Sequence, residues 1–197
     1  MKNLVIGQSG GPTAVINASL YGAVKAFRES GADGHVLGMI NGIEGFLADH
    51  VMDLSTDLSD KELELLKLTP AAYLGSCRYK LPADLDSEVY PAIFDNFREM
   101  NIGYFLYVGG NDSMDTCNKI SKYMQSAGYE CRIAGIPKTI DNDLAITDHC
   151  PGYGSAAKYI ATTIMEVHLD ATVYDKGQIT IIEIMGRNAG WLAAAAS

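Results

Sequence analysis

The densest group of reactive side chains in the sequence is Pro137-Lys138-Thr139-Ile140-Asp141-Asn142-Asp143. Two carboxylates beside a lysine and a threonine have the donors to hold a metal ion, or to set a general base next to a phosphate; a polar turn has the same composition. Two glycine-rich stretches suggest a second chemistry. Gly7-Gln8-Ser9-Gly10-Gly11-Pro12-Thr13 and Gly109-Gly110-Asn111-Asp112-Ser113 each follow an apolar run and precede a helical pattern. Paired glycines let the backbone approach a ligand closely, Pro12 suits a first helical turn, and the free amides of a helix start attract an anion. Each stretch also reads as a structural turn, with Asn111 and Asp112 as N-caps, and the first matches neither a Walker motif nor a GxGxxG fingerprint. A carboxylate at an anion-binding helix start repels its ligand unless a metal or a lysine neutralises it, which singles out Asp112. Arg187, in Met185-Gly186-Arg187-Asn188-Ala189-Gly190, has the fork to clamp a phosphate through two N–H donors. Arg78, in Leu74-Gly75-Ser76-Cys77-Arg78, is a candidate second anion contact. Both also fit ordinary surface arginines.

The elements that must position these groups alternate along the chain. Leu4 to Ile6 is a short apolar run, followed by a helical stripe of Ile16, Leu20, Val24 and Phe27 that closes at Gly31. His35 to Ile40 is the next strand candidate, and Ser59-Asp60-Lys61-Glu62 opens a short helix with a capping box. Val89, Ile93, Phe97 and Met100 form a further stripe, Tyr104 to Val108 reads as a buried strand, Asn111 to Ser126 as a helix and Arg132 to Ile136 as a strand. Tyr153 to Val167 is a helix and Gln178 to Ile184 an isoleucine-rich strand. Continuous apolar strands separated by helices imply an α/β fold: a mainly parallel sheet covered by helices on both faces. In such sheets ligands bind at the carboxyl ends of the strands, which is where the motifs fall. Thr139 to Gly154 is a long connection and the natural passage between two lobes, 1–138 and 139–197.

Composition narrows the function classes. A chain of 197 residues with 48% hydrophobic and 20% charged residues builds a sizeable core. A formal net charge of −9, from 15 basic and 24 acidic residues, disfavours nucleic acid and membrane surfaces as partners while leaving room for a locally basic anion site. The four cysteines, Cys77, Cys117, Cys131 and Cys150, contain no C-x-x-C pair and read as reduced thiols of a cytoplasmic protein. The start, MKNLVIGQSGG, enters a strand directly and reads as carrying no signal peptide, and no apolar run is long enough to span a membrane. Trp191 to Ser197 reads as the first turns of a helix with no stop signal, so a truncated chain is expected.

Taken together, and in their order along the chain, the five motifs resemble the phosphofructokinase family over nearly the whole chain, PKTIDND and MGRNAG being specific in combination. The resemblance implies a two-lobed, Rossmann-like phosphofructokinase fold, truncated here, with residues 1–138 as the donor-binding lobe and 139–197 as the start of the sugar-phosphate lobe. It implies phosphoryl transfer to the 1-hydroxyl of fructose 6-phosphate in glycolysis, with Mg²⁺ as cofactor, in a homo-oligomer. By position, Asp141 matches the general base that takes the hydroxyl proton and Asp143 its acidic neighbour. Thr139 matches a contact to the transferring phosphoryl group or the sugar. Met185, Gly186 and Arg187 match the grip on the sugar phosphate, Gly11 a backbone contact to the donor, and Arg78 an arginine that stabilises transition-state charge.

Two positions direct the donor toward pyrophosphate. ATP-using members usually carry glycine where Asp112 and Lys138 stand. Asp112 would place a carboxylate against an α-phosphate, and Lys138 would fill the remaining space, pair with Asp112 and present a cation to pyrophosphate. Ile43 stands where ATP users often place a tyrosine against adenine. Two departures accompany this pattern. Asn111 replaces the aspartate that commonly holds Mg²⁺, so Asp112 or Asp141 are alternative ligands beside it. Gln178 replaces an arginine that in bacterial ATP-dependent members reaches a neighbouring subunit. An ATP-dependent 6-phosphofructokinase and a non-catalytic regulatory subunit are the alternative readings, the latter opposed by the presence of Asp141, Asp143 and Arg187.

Overall fold

The structure is a computed structural model that describes residues 2–197. The chain divides into two compact units, Met1–Lys138 and Thr139–Ser197.

The first unit is built on five strands: β1 (Asn3–Gln8), β2 (Val36–Met39), β3 (Val51–Asp53), β4 (Ile102–Gly109) and β5 (Arg132–Pro137). Their order across the sheet is β3-β2-β1-β4-β5. β2, β1, β4 and β5 run parallel, and β3 pairs antiparallel to β2 at one edge. Five helices cover the sheet: α1 (Ala14–Glu29), α2 (Gly42–Leu47), α3 (Asp60–Leu66), α4 (Val89–Glu99) and α5 (Asn111–Ser126).

Side-chain alternation along β1 assigns the two faces. Leu4 and Ile6 point to one side, where they pack with Ile16, Leu20 and Val24 of α1 and Leu63 and Leu66 of α3. Val5 points to the other, where Phe105 and Tyr107 of β4 meet Ile43 and Phe46 of α2, Tyr90, Ile93 and Phe97 of α4, and Cys117, Ile120 and Met124 of α5. The expected α/β class, with helices on both faces of a mainly parallel sheet, is what the chain forms. The capping box of α3 is present in full: Glu62 N–H donates to Ser59 Oγ at 3.4 Å, and Ser59 N–H donates to Glu62 Oε2 at 2.9 Å.

Three features differ from the sequence expectations. α2 and β3 form between the first helix and the capping box, in segments too short to show a period. α1 begins at Ala14 with Thr13 as its N-cap, so Pro12 lies in the preceding loop rather than in the first turn.

The second unit contains α6 (Tyr153–Ala171) and the short α7 (Trp191–Ala194). Residues 178–184, expected as a strand, form none. A strand needs a neighbour to take its backbone hydrogen bonds, and none lies beside this segment among the described residues; Ile179 and Ile181 are 94% and 91% exposed. No helix among the described residues is long and apolar enough to cross a membrane.

The buried thiols set an alkaline limit on stability. Burial pushes Cys117 from the ordinary 9.0 to about 12, and Cys131 to about 11 against a small opposing effect of Lys2. The folded chain therefore holds protons that the unfolded chain releases from about pH 9 upward. Stability is full below that point and falls as pH rises through the folded values. Urea midpoints measured from pH 8 to 11 are expected to decline above 9, and a Cys117→Ala/Cys131→Ala variant to show a shallower decline whatever its starting midpoint.

Candidate active site

The strand order reverses between β1 and β4, because the chain leaves β1 for β2 on one side and later returns to β4 on the other. Such a switch point opens a crevice at the carboxyl ends of the two strands. Both glycine-rich stretches stand there, each feeding a helix of 16 residues, α1 and α5, whose first-turn amides lack intrahelical partners.

The two turns are joined by a hydrogen bond between Ser9 Oγ and Ser113 Oγ, both buried. Gly109 makes that contact possible: a Cβ there would lie 1.9 Å from Ser113 Oγ and 2.6 Å from Ser9 Oγ. Gly10 adopts φ +74°, a conformation that favours glycine. Its N–H donates to Cys77 O at 3.0 Å, and its carbonyl accepts from Ser76 Oγ at 2.6 Å. The loop that carries Arg78 is thereby fastened to the first glycine turn, and Arg78 Nη2 lies 3.8 Å from the Cβ position of Gly11.

A buried polar network supports the same loop from below. Gln8 Oε1 accepts from Leu74 N–H at 2.9 Å, and Gln8 Nε2 donates to Asn17 Oδ1 at 2.9 Å and to Ile16 O at 3.1 Å. Asn17 in turn accepts from Tyr73 N–H at 2.8 Å and donates to Thr69 O at 2.9 Å. Gln8 and Asn17 are almost fully buried. The sequence reading missed both, although an asparagine beside Ile16 at the start of an apolar helical stripe is a visible signal.

Lys138 and Asp112 are arranged differently from the expectation that they pair with each other. Lys138 is 7% exposed, and its ammonium donates to the carbonyl of Gly11. The end of β5 sets this position, since Lys138 N–H donates to Gly109 O at 2.9 Å and holds the residue against the glycine turns. The ion-pair partner of Asp112 is Lys80, at 3.3 Å. Lys80 follows Arg78 by two residues and was not singled out in the sequence. Asn111 and Asp112 occupy the first turn of α5, with Thr116 Oγ1 donating to Asp112 O at 3.0 Å. Ile43 is fully buried in the core at the start of α2, and so presents no side chain to a crevice.

In the second unit, Thr139, Asp141 and Asp143 share one irregular loop. Asp141 N–H donates to Thr139 Oγ1 at 3.1 Å, and Asp141 and Asp143 each turn one carboxylate oxygen away from solvent. Asn142, left-handed at φ 57°, fixes the loop between them: its Oδ1 accepts from Cys150 N–H at 2.7 Å and its Nδ2 donates to Asp148 O at 3.3 Å. Met185, Gly186 and Arg187 lie in a turn ahead of α7, closed by Ala189 N–H donating to Gly186 O at 3.0 Å. Gly186 has φ +125°, and a Cβ there would meet Ala189 O at 2.2 Å. Met185 and Arg187 are exposed, as is Gln178.

Among the predicted residues, the first unit thus gathers Gly11, Arg78, Asn111, Asp112 and Lys138 at one end of its sheet. The second holds Thr139, Asp141 and Asp143 in one loop and Met185, Gly186 and Arg187 in another. Cationic side chains and two helix starts around two glycine turns suit a polyphosphate, and a carboxylate-rich loop suits proton abstraction.

The chain is 45% identical to the pyrophosphate–fructose 6-phosphate 1-phosphotransferase of Halomonas elongata, over 98% of this chain and 47% of that protein. A solved pyrophosphate-dependent phosphofructokinase from Marinobacter aquaeolei superposes with a TM-score of 0.84 at 44% identity, covering 100% of this chain and 49% of that one. An ATP-dependent 6-phosphofructokinase 3 of Bacteroides thetaiotaomicron is 31% identical over 94% of this chain and 52% of its own length. The chain spans about half the length of the relatives it matches. A family model described as phosphofructokinase matches residues 3–197, and the chain belongs to the phosphofructokinase family.

Proposed function

We propose that the protein transfers a phosphoryl group from pyrophosphate to the 1-hydroxyl of fructose 6-phosphate, reversibly, giving fructose 1,6-bisphosphate and phosphate. The observation that carries the choice of donor is Asp112. It sits in the first turn of α5, at a phosphate-binding helix start, with Lys80 at 3.3 Å. A carboxylate there repels the additional phosphate of a nucleotide, while the smaller pyrophosphate is left the glycine turns and the cations. The 45% identity to the Halomonas elongata enzyme, against 31% to the ATP-dependent one of Bacteroides thetaiotaomicron, supports the same reading.

Residues 1–138 form the donor lobe in this reading, and 139–197 begin the sugar-phosphate lobe. Gly11 and Arg78 bind the donor, and Lys138 holds the turn in place through the carbonyl of Gly11. Met185, Gly186 and Arg187 grip the sugar phosphate, and Thr139 orients the reacting groups. The oxygen of the 1-hydroxyl attacks one phosphorus of pyrophosphate, the bridging P–O bond breaks, and inorganic phosphate leaves. The hydroxyl proton passes to Asp141, with Asp143 beside it in the loop. The hard oxygen donors of Asn111 and Asp112 fit Mg²⁺, which when bound offsets the charge of the phosphoryl oxygens. The protein acts as a cytoplasmic homo-oligomer.

The test uses the full-length protein with fructose 6-phosphate and Mg²⁺. Turnover with pyrophosphate and not with ATP is expected; turnover with ATP alone overturns the donor assignment. Asp141→Asn is expected to lower kcat by roughly 10²- to 10⁴-fold, the size of a general-base contribution. Asp112→Gly is expected to raise kcat/KM for ATP and lower it for pyrophosphate. A variant that leaves both values unchanged removes Asp112 from the argument.

A further inference from the structure

Tyr107 is a polar exception on an otherwise apolar stretch of β4. It is 2% exposed, and a buried phenol requires a hydrogen-bond partner. Its hydroxyl oxygen accepts from the N–H of Ile43 at 3.3 Å, an amide at the start of α2 that has no partner within its own helix. The same hydroxyl lies 3.5 Å from Cys77 Sγ, which is also buried. Ser9, in the first glycine turn, is a further hydrogen-bond partner of this hydroxyl, and with Ile43 N–H donating to its oxygen the phenol has a proton to offer the sulfur.

Two glycines clear the space for this junction. A Cβ on Gly42 would lie 2.7 Å from the Tyr107 hydroxyl and 2.8 Å from Cys77 Sγ. A Cβ on Gly7 would lie 2.9 Å from the edge of the Tyr107 ring. Cys77 is then tied upward to the site: its carbonyl accepts from Gly10 N–H at 3.0 Å, and the next residue is Arg78, beside Gly11. One buried hydroxyl therefore connects β4, the start of α2 and the loop that presents Arg78, directly beneath the first glycine turn. Burial first, and Cys77 second, push the phenol well above its ordinary range, so it stays protonated and able to donate throughout the working range of the protein.

We infer that Tyr107 is a positioning residue for the phosphate donor: through Cys77 its hydroxyl fixes the distance between Arg78 and the Gly10–Gly11 turn. This inference rests on the proposed reaction. It touches no substrate itself, and its removal is felt on the pyrophosphate side and not on the sugar side.

The experiment compares Tyr107→Phe with wild type in the full-length protein, the ring packing being kept and only the hydroxyl lost. Loss of a hydrogen bond of about 0.5–1.5 kcal/mol corresponds to a roughly twofold to twelvefold rise in KM for pyrophosphate. KM for fructose 6-phosphate is expected to stay within about twofold. Site-resolved alkylation by iodoacetamide, read by mass spectrometry, is expected to accelerate at Cys77 and not at Cys117. Equal rises in both KM values, or an unchanged pyrophosphate KM in a folded variant, overturn the inference, as does an unchanged Cys77 alkylation rate. Should Tyr107→Phe fail to fold, Cys77→Ser and Cys77→Ala decide: serine keeps a hydrogen-bonding group and is expected to retain the pyrophosphate KM within about twofold, alanine to raise it. Equal values for the two overturn the inference. A wild-type protein without pyrophosphate turnover refutes the proposed reaction, and the alkylation comparison then judges the junction by itself.

Discussion

The loop from Thr69 to Arg78 has no helix or strand of its own, yet it carries Arg78 to the side of the first glycine turn. Its backbone amides and carbonyls need partners, and the buried side chains of Gln8 and Asn17 supply them. Leu74 N–H and Tyr73 N–H both end on these two residues, and so does the carbonyl of Thr69. An unpaired buried amide costs more than an ordinary hydrogen bond contributes, so the network has to be complete to be useful. Because Gln8 ends β1 and Asn17 lies in the first turn of α1, the loop inherits the rigidity of the strand and helix that flank the glycine turn.

The same economy governs the crevice floor. A parallel sheet whose order reverses between β1 and β4 puts two helix starts side by side, and glycine at the strand ends lets their loops touch. Ser9 and Ser113 then satisfy one another, Lys138 satisfies the Gly11 carbonyl, and Tyr107 satisfies Ile43 and Cys77. Each of these polar groups is used to hold a neighbour. Arg78, Lys80 and Asp112 are left exposed at the same end of the sheet, and in the proposed reaction their charges are what separates one phosphate donor from another.

Much of this was legible in the sequence, for physical reasons that also mark the limits. β1 and β4 are buried along most of their length and read as apolar runs, and β5 reads as one although this edge strand is only partly covered; α1 and α4 show stripes of period near 3.6; the Ser59–Glu62 capping box is a local signal and forms locally. The turns that bear Gly11, Asn111 and Asp141 stand out because glycine pairs and clustered carboxylates are uncommon. What escaped were contacts between segments far apart in the chain. Lys80 pairs with Asp112 across 32 positions, Tyr107 reaches Cys77 across 30, and Gln8 reaches Leu74 across 66. No spacing rule reports such contacts. The expectation that Lys138 pairs with Asp112 rested on charge alone, and the backbone bond from Lys138 to Gly109 places the lysine on the Gly11 carbonyl. Residues 178–184 have strand composition, but a strand is a relation between two segments, and composition describes only one.

The helix α6 runs for 19 residues without one buried side chain, with Tyr159, Met165 and Leu169 all more than 60% exposed. Tertiary packing, rather than intrinsic propensity, normally holds a helix of this kind together. The two units therefore differ in the kind of order they possess. The first owns its core, with both sheet faces covered, and opens only by giving up that core. The second is held largely by local hydrogen bonds, so its opening free energy is small and depends on whatever covers its apolar side. Cooperativity in this protein is thus unevenly distributed: the segment bearing the Asp141 and Asp143 carboxylates is the one whose order is conditional.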